Sequence, residues 1–393
     1  MTTPEAFIVS AVRTPFGKYL GGLSTIRPDD LLGFTLRTLM ERTPQIDAAQ
    51  IDDVIMGDTN GAGEDNRNVA RMGALLAGFP NTVPGVTLNR LCGSGAEAII
   101  QGARAVKSGD ADFIISGGVE SMSRAPWIVQ REGKQEPTNP VYHQSTVGWR
   151  MINPLMQESW IQNLGRCSEI VAENLGISRT EQDEWALRSH HLANEAWNKA
   201  LHDGWVVPFG TVIRDESIRP DSTLEILSNL ASAFSSNGAG TAGNSSPLND
   251  GCVSALITNA TLMDEFGLEP IGKIIASQVT ATDPAQFSLA PVSAIHKLLR
   301  KIDRNVADIA LWEINEAFAS MVLTVLHEIP QIDRNRVNVN GGAIAIGHPV
   351  GASASRIIVE CARELKRRGG GIGIAAACIG VGLGVAVAIE VSA

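Results

Sequence analysis

The order of local patterns in the first third of the chain returns in the last third, and that repetition restricts the fold more than any single motif. The short apolar run 6–12 is matched by 270–279, and the amphipathic stretch 30–40 by 292–299. Residues 51–57 are matched by 307–314, and each segment leads into a turn bearing an asparagine, Asn60 and Asn315. Residues 86–89 (VTLN) are echoed by 337–340 (VNVN). The turn Cys92-Gly93-Ser94-Gly95-Ala96 then has its counterpart in 347–352 (GHPVGA), and a helical pattern follows both. Residues 111–117 answer to 371–377, and 252–258 to 384–390. Short apolar strands alternating with helices of 3.6-residue spacing predict a mostly parallel sheet covered on both faces. The chain therefore reads as two similar α/β halves, a duplication on the scale of a domain rather than a short repeat.

Between 119 and 250 the rhythm breaks. This stretch holds most of the tryptophans, a Pro/Asn/Gln-rich patch at 133–142 and one clear helical segment at 179–201. It reads as an insertion into the first half, at the edge of a parallel sheet where substrate lids are commonly placed.

Within this frame one stretch points to chemistry. Residues 86–91 read as a strand that stops at Cys92; Gly-Ser-Gly follows, then a run of good helix formers. A cysteine at a sharp strand-to-helix turn is surrounded by unpaired backbone N–H groups, and the positive end of the helix favours thiolate. Cysteines more often serve as small buried hydrophobes. The small residues after Cys92 favour a nucleophile. His348 lies in the matching turn, before Pro349, where a helix dipole disfavours imidazolium and leaves a neutral base. Cys378 follows a buried strand and precedes the glycine-rich Ile379-Gly380-Val381-Gly382, whose N–H groups can bind an oxyanion. Asn315 ends a strand, where its amide can hold a water or cap a helix. Parallel strands end on one side of their sheet, so two packed halves aim these turns at one cleft.

Net charge of −10 over 393 residues argues against nucleic acid or an anionic membrane surface as partner. The five cysteines are odd in number and widely spaced, with no CxxC and no metal-ligand spacing, which fits a reduced, cytoplasmic setting without a metal. The first residues carry no basic start and apolar core of a secretory signal, and no uninterrupted apolar run reaches the roughly 18 residues of a membrane span.

Taken together, these segments resemble the thiolase family. The matching stretches are AVRTPFGK from Ala11, NRLCGSG from Asn89, GGVESMSRAPW from Gly117, TAGNSSPLNDG from Thr241, NEAFA from Asn315, NGGAIAIGHPVGAS from Asn340 and CIGVGLG from Cys378. They cover nearly the whole chain in the family's order. GEDNRNVAR from Gly63, VGWRMINPLM from Val147 and the valine of CIGVG are most similar to the branch acting on 3-oxoadipyl-CoA.

The resemblance implies a five-layered α-β-α-β-α thiolase fold with mixed, mostly parallel sheets. Residues 1–118 with 251–268 would form the N-terminal half, 119–250 an inserted loop domain that binds coenzyme A, and 269–393 the C-terminal half. It implies that Cys92 attacks the 3-oxo carbon of a 3-oxoacyl-CoA, activated by His348. Cys378 would then protonate the departing acetyl-CoA enolate and deprotonate the incoming CoA thiol. A water on Asn315, with His348, would hold the enolate oxygen, and the N–H groups of Cys92 and Gly380 a second oxyanion. Arg219 would meet the adenine-ribose end of coenzyme A, while Phe234, Ala242, Ser246 and Phe318 line the pantetheine tunnel. Coenzyme A and acetyl-CoA are substrates, no cofactor is permanently bound, and the family implies a homodimer or homotetramer.

Three places depart from the family's pattern. The His-Met-Gly or Ser-Met-Gly triplet that precedes an Ala-Glu-Asn helix falls either on Cys167-Ser168-Glu169 or, with a gap, on Asn163-Leu164-Gly165. Phe287 to Pro291 replaces a Met-Gly-x-Gly-Pro segment, and Leu383 replaces a common glutamine. The reaction is thus expected to be conventional and the acyl pocket rebuilt. Alternatives are an acetoacetyl-CoA-forming acetyltransferase and a ketoacyl synthase, which would lack the Cys378 loop. A non-catalytic acyl-CoA carrier is a third, indifferent to loss of Cys92.

Overall fold

The computed structural model describes residues 5–131 and 139–392; residues 133–138 of the Pro/Asn/Gln-rich patch lie outside them. The first half runs β1 (Phe7–Arg13), β2 (Gly17–Lys18), α1 (Pro28–Glu41), β3 (Asp53–Gly57), α2 (Val69–Leu76), β4 (Gly85–Leu88), α3 (Ser94–Ser108) and β5 (Phe113–Ser121). The insertion carries a small hairpin, β6 (Trp127–Val129) with β7 (Tyr142–Gln144), and three helices, α4 (Leu164–Asn174), α5 (Arg179–Asn198) and α6 (Leu224–Ser228). The chain then returns through β8 (Asn249–Thr258) and α7 (Ala260–Glu265). The second half comprises β9 (Gly272–Ala281), α8 (Ala290–Lys301), β10 (Leu311–Ile314), α9 (Ala319–Glu328), α10 (Ala343–Ile346), α11 (Val350–Arg367), β11 (Gly371–Ile379) and β12 (Leu383–Val391). Pairing carries β5 to Ser121 and starts β8 at Asn249, slightly beyond the edges expected for the insertion.

The duplication is visible in strand order. In the first half it is β4-β3-β5-β8-β1, and in the second β10-β11-β12-β9. β8 and β12 each run against their neighbours, and the remaining strands of each half share one direction. The equivalent strands β1 and β9 meet antiparallel through Phe7–Lys273 and Ile8–Gly272. In the second half the counterpart of β4 is missing. At 337–340 there is one parallel bridge, Trp312 with Val337, instead of the echoed strand. Asn338 supplies the reason. Its backbone stands at φ +46°, and its side chain accepts from the Ile314 N–H and donates to the Ile314 carbonyl, both at 2.8 Å. A side chain has taken over the hydrogen bonds a ladder would have made.

Three apolar clusters lie between five layers. Phe113, Ile115, Cys252 and Leu256 face outward onto α1 and α2. Ile114, Val253, Ala255 and Ile257 face inward, onto a middle layer of α3 and α11. On the other side Ala375, Ala377, Val385 and Val387 face that middle layer, while Ile374, Ala376, Ala386 and Ala388 face α8 and α9. These strands are buried on both faces, so they read as continuous apolar runs while their side chains still alternate.

The middle layer is tight where the halves meet. A Cβ on Gly118 of β5 would stand 2.1 Å from the Gly351 carbonyl oxygen of α11. Gly118→Ala is expected to cost about 3 kcal/mol or more in unfolding free energy, because backbone rather than a flexible side chain must move. Chemical denaturation against the parent checks this; an unchanged midpoint would contradict the close approach.

Candidate active site

The turn at Cys92 is built by its own neighbours. Asn89 Oδ1 accepts from the Leu91 N–H at 2.9 Å. Ser94 Oγ accepts from the Arg90 N–H at 2.8 Å and donates to the Leu91 carbonyl at 2.7 Å. They hold Leu91 at φ +46°, a conformation that costs a non-glycine residue roughly 1–3 kcal/mol. A Cβ on Gly93 would lie 2.3 Å from Ile379 Cδ1, and one on Gly95 would lie 2.8 Å from the Gly351 carbonyl oxygen. Glycine stands at both places because the second half comes that close.

The second half brings the other thiol. The Gly380 N–H lies near enough to the Cys92 sulfur to favour its thiolate. Cys378, two residues earlier at the end of β11, is buried and close enough to feel the charge of Cys92. Val381 follows at φ +59°, a costly conformation for a β-branched residue. Both cysteines therefore sit beside strained backbone. Leu91, Trp149 and Leu164 crowd the face of Gly380, within 3.1 to 3.6 Å of where its Cβ would be.

Protonation states differ from the sequence expectation at one point. Burial pushes the Cys92 thiol up to about 11, against the pull of the Gly380 and Cys92 N–H groups. The substrate-free cysteine is a thiol, not the thiolate expected from its helix terminus, because desolvation outweighs the dipole. Burial, then the neighbouring charge of Cys92, also holds Cys378 well above the usual thiol range. Alkylation of Cys92 by iodoacetamide, read by peptide mass spectrometry, should be slow at pH 7 and climb toward pH 11, since thiolate forms as pH rises through a raised pKa. A rate that levels off below pH 8 would contradict this.

His348 is a neutral base with a defined tautomer. Burial, then the nearby Arg356 charge, lowers its pKa to about 4. Its Nδ1 lies 2.6 Å from Ser353 Oγ, whose own proton goes to the Pro349 carbonyl at 2.9 Å. The imidazole must therefore donate from Nδ1, which leaves the Nε2 lone pair free. Nε2 is buried and has no partner among the described residues. Pro349 caps α11, which begins at Val350.

Asn315 is fully buried beside β11, its N–H donating to the Ala376 carbonyl at 2.9 Å. Both polar atoms of its side chain lack a partner among the described residues. A buried amide left open on both atoms is suited to ordering a water or a substrate oxygen. The next residue, Glu316, accepts from Trp185 Nε1 (2.9 Å), Ser189 Oγ (2.6 Å), Asn338 Nδ2 (2.9 Å) and the Ile344 N–H (3.1 Å). That network anchors the strand end carrying Asn315.

The residues expected at coenzyme A divide. Phe318 and Phe234 meet edge-to-face at 5.5 Å, and the Ser246 N–H donates to the Ala317 carbonyl at 3.0 Å. Ala242 is exposed in the same loop, which Thr241 and Asn244 pin from within. Arg219 is exposed and further out, its N–H donating to His190 Nδ1 at 3.1 Å. His190 lies on α5, where the adjacent Ser189 Oγ donates to Glu316 at 2.6 Å.

The displaced triplet is resolved by geometry. Leu164 approaches Gly380 and Gly165 packs under the Phe234 ring, so Asn163-Leu164-Gly165 borders the site. Cys167 and Ser168 point instead into the second half's outer core, where Ser168 Oγ meets Ser320 Oγ at 2.7 Å. Phe287 is buried there, edge-on to Phe318 at 6.3 Å. Glu120, Asn249 and Ser353 lie within the family-like stretches, and neither spacing nor residue type marks them for a role. Their signal was membership of a stretch rich in polar residues beside buried strands.

Family models described as the thiolase N-terminal domain and the thiolase C-terminal domain match residues 6–261 and 268–391. The chain is 44% identical over 378 residues to the 3-oxoadipyl-CoA/3-oxo-5,6-dehydrosuberyl-CoA thiolase of Escherichia coli K12, covering 93% of this chain and 94% of that one. It is 36% identical to the 3-ketoacyl-CoA thiolase of Bacillus subtilis 168, with 93% of each covered. Among solved structures, human mitochondrial 3-ketoacyl-CoA thiolase in complex with CoA superposes at TM-score 0.92 with 33% identity, over 100% of this chain and 99% of that one. The Bacillus anthracis acetyl-CoA acetyltransferase superposes at 0.91 with 36% identity, over 99% of each.

Proposed function

The chain belongs to the thiolase family, acyltransferases working between coenzyme A and acetyl-CoA, and from that premise we propose that it thiolyses 3-oxoadipyl-CoA in the degradative direction. The observation that carries the chemistry is the meeting of two thiols from two halves, with the Gly380 N–H on Cys92. His348 Nε2 takes the Cys92 proton, and the thiolate attacks the 3-oxo carbon. The bond between the 2- and 3-carbons breaks, leaving an acyl group on sulfur and the enolate of acetyl-CoA. Cys378 gives its proton to the enolate carbon. It then takes one from the incoming CoA thiol, whose sulfur displaces Cys92, and His348 returns the first proton. Asn315 with an ordered water and His348 holds the enolate oxygen, and the N–H groups of Cys92 and Gly380 hold the tetrahedral oxyanion. Such donors are each worth on the order of 10²–10³ in rate.

In this reading residues 119–250 form a loop domain that holds coenzyme A, with Arg219 at the adenine-ribose end and Phe234, Ala242, Ser246 and Phe318 along the pantetheine. Relatives named for 3-oxoadipyl-CoA support the choice of acyl group. The chain also supplies a half-buried cation, Arg150, directly after the Trp149 that crowds Gly380. A terminal carboxylate entering a dry pocket needs such a partner. The exposed edge of β4, with Val86 at 44% exposure, supports a self-associating chain, dimeric or tetrameric. Among the described residues no helix is long and apolar enough to cross a membrane.

The test is a thiolysis panel of acetoacetyl-CoA, longer unbranched 3-oxoacyl-CoAs and 3-oxoadipyl-CoA, run on the parent and on Arg150→Ala. The proposal expects the parent to prefer 3-oxoadipyl-CoA and the variant to lose that preference alone. Equal rates across the parent's panel would refute the assignment of acyl group.

A further inference from the structure

Cys92 belongs to the first half and His348 to the second, so their register has to be set across the boundary between halves. Two buried side chains, one near the end of β5 and one at the start of β8, reach the backbone of the His348 turn. Asn249, fully buried at the start of β8, accepts from the His348 N–H through Oδ1 at 2.9 Å. Its Nδ2 donates to the Gly17 carbonyl at 2.8 Å and to Ser217 Oγ at 2.9 Å. One amide thus ties together the first half, the insertion and the histidine. Gly347 stands at φ +113°, and a Cβ there would meet the Asn249 amide at 2.5 Å, so the turn is seated directly on that side chain.

Glu120, buried near the end of β5, supplies the second point. Its Oε2 accepts from the Gly351 N–H at 2.9 Å, the Thr59 N–H at 3.1 Å and the Thr59 hydroxyl at 2.6 Å. Gly351 is in the first turn of α11, three residues after His348. Thr59 follows β3, which pairs with the strand leading to Cys92. The same oxygen therefore spans from the nucleophile's sheet to the base's helix. A buried carboxylate is costly, and Asp58 and Asp65 nearby add to that cost. Placing one here is economical only if its hydrogen bonds matter.

We propose that Asn249 and Glu120 are positioning residues, a two-point clamp that holds His348 in register with Cys92. This rests on the reading of His348 as the base. Neither side chain is assigned a contact with substrate; each acts through the histidine. Releasing one point lets the turn drift, and a displacement of about 1 Å at a reacting group can cost on the order of 10²-fold. Because all three Glu120 donors converge on one oxygen, an amide oxygen can replace it.

The test uses Asn249→Ala, Glu120→Ala and Glu120→Gln, each alone and combined with His348→Ala, in the full chain. Thiolysis of acetoacetyl-CoA gives kcat and KM, and iodoacetamide labelling at pH 7 reports Cys92 activation without substrate. The two alanine variants should lose on the order of 10²-fold in kcat, with KM for CoA held, and should label more slowly. Glu120→Gln should keep the greater part of both. On the His348→Ala background the clamp substitutions should cost less than about twofold more, since residues acting as a unit are non-additive. Losses that multiply on that background would overturn the clamp, as would alanine variants that turn over like the parent. If His348→Ala itself turned over like the parent, the proposed function would fail first and the clamp with it. Should Asn249→Ala fail to fold, Glu120→Ala set against Glu120→Gln decides the matter on the same two readouts.

Discussion

Cys92→Ala should fold as the parent does and lose thiolysis by on the order of 10⁴-fold or more. The stability side follows from its position: Cys92 is partly open at the head of α3 and lies in none of the three apolar clusters. Truncating this one sulfur leaves all three apolar clusters intact. The rate side follows from the reaction. Without a nucleophile no covalent intermediate forms, and a carbon–carbon bond has to be cleaved by direct attack of the CoA thiol. Intact-mass spectrometry after mixing with a 3-oxoacyl-CoA should show an acyl adduct on the parent and none on the variant. Retained turnover, or an adduct on another cysteine, would reject Cys92 as nucleophile. A carrier of acyl-CoA would be indifferent to the change.

Cys378→Ala should separate two kinds of chemistry. Burial keeps this thiol protonated across the physiological range, the state that the proposed acid needs when the enolate forms. Loss of a positioned acid–base group costs typically 10²–10⁴-fold, and here the loss falls on carbon–carbon cleavage. Transfer of an acyl group from an ordinary acyl-CoA to Cys92 makes no carbanion and asks of Cys378 only a proton for the departing CoA sulfur, already a good leaving group, so the adduct should still form, more slowly, at the same mass. His348→Ala, by contrast, should impair both steps, because the Cys92 proton has nowhere to go. If Cys378→Ala abolished the acyl adduct as fully as His348→Ala does, the assignment of separate roles would fall.

Much of this was readable before any coordinates. The turn NRLCGSG announces itself because Asn89 and Ser94 bond to backbone within a few residues, and short-range geometry follows from short-range composition. The two halves were legible because each buried strand carries a continuous apolar run, and runs can be matched by order alone. The echo at 337–340 misled on one point, since Asn338 spends its side chain on the hydrogen bonds a strand would have made.

The triplet near α4 could be placed two ways on paper. Only the approach of Leu164 to Gly380, across more than 200 residues of chain, selects one. Glu120 and Gly351 are 231 residues apart, and no pattern within either stretch reveals that they share a hydrogen bond. The ionisation of Cys92 is the sharpest case. Its place at a helix terminus, visible in the residues, argues for a lowered pKa, while the folded protein raises it to about 11. A helix terminus is a local property, but desolvation depends on everything packed around the sulfur. Residue type and spacing thus decided which groups could react and in what secondary structure they stand. Burial and the meeting of the two halves decided which state they rest in and which side chains bond to the His348 turn, because both are set by contacts between segments far apart in the chain.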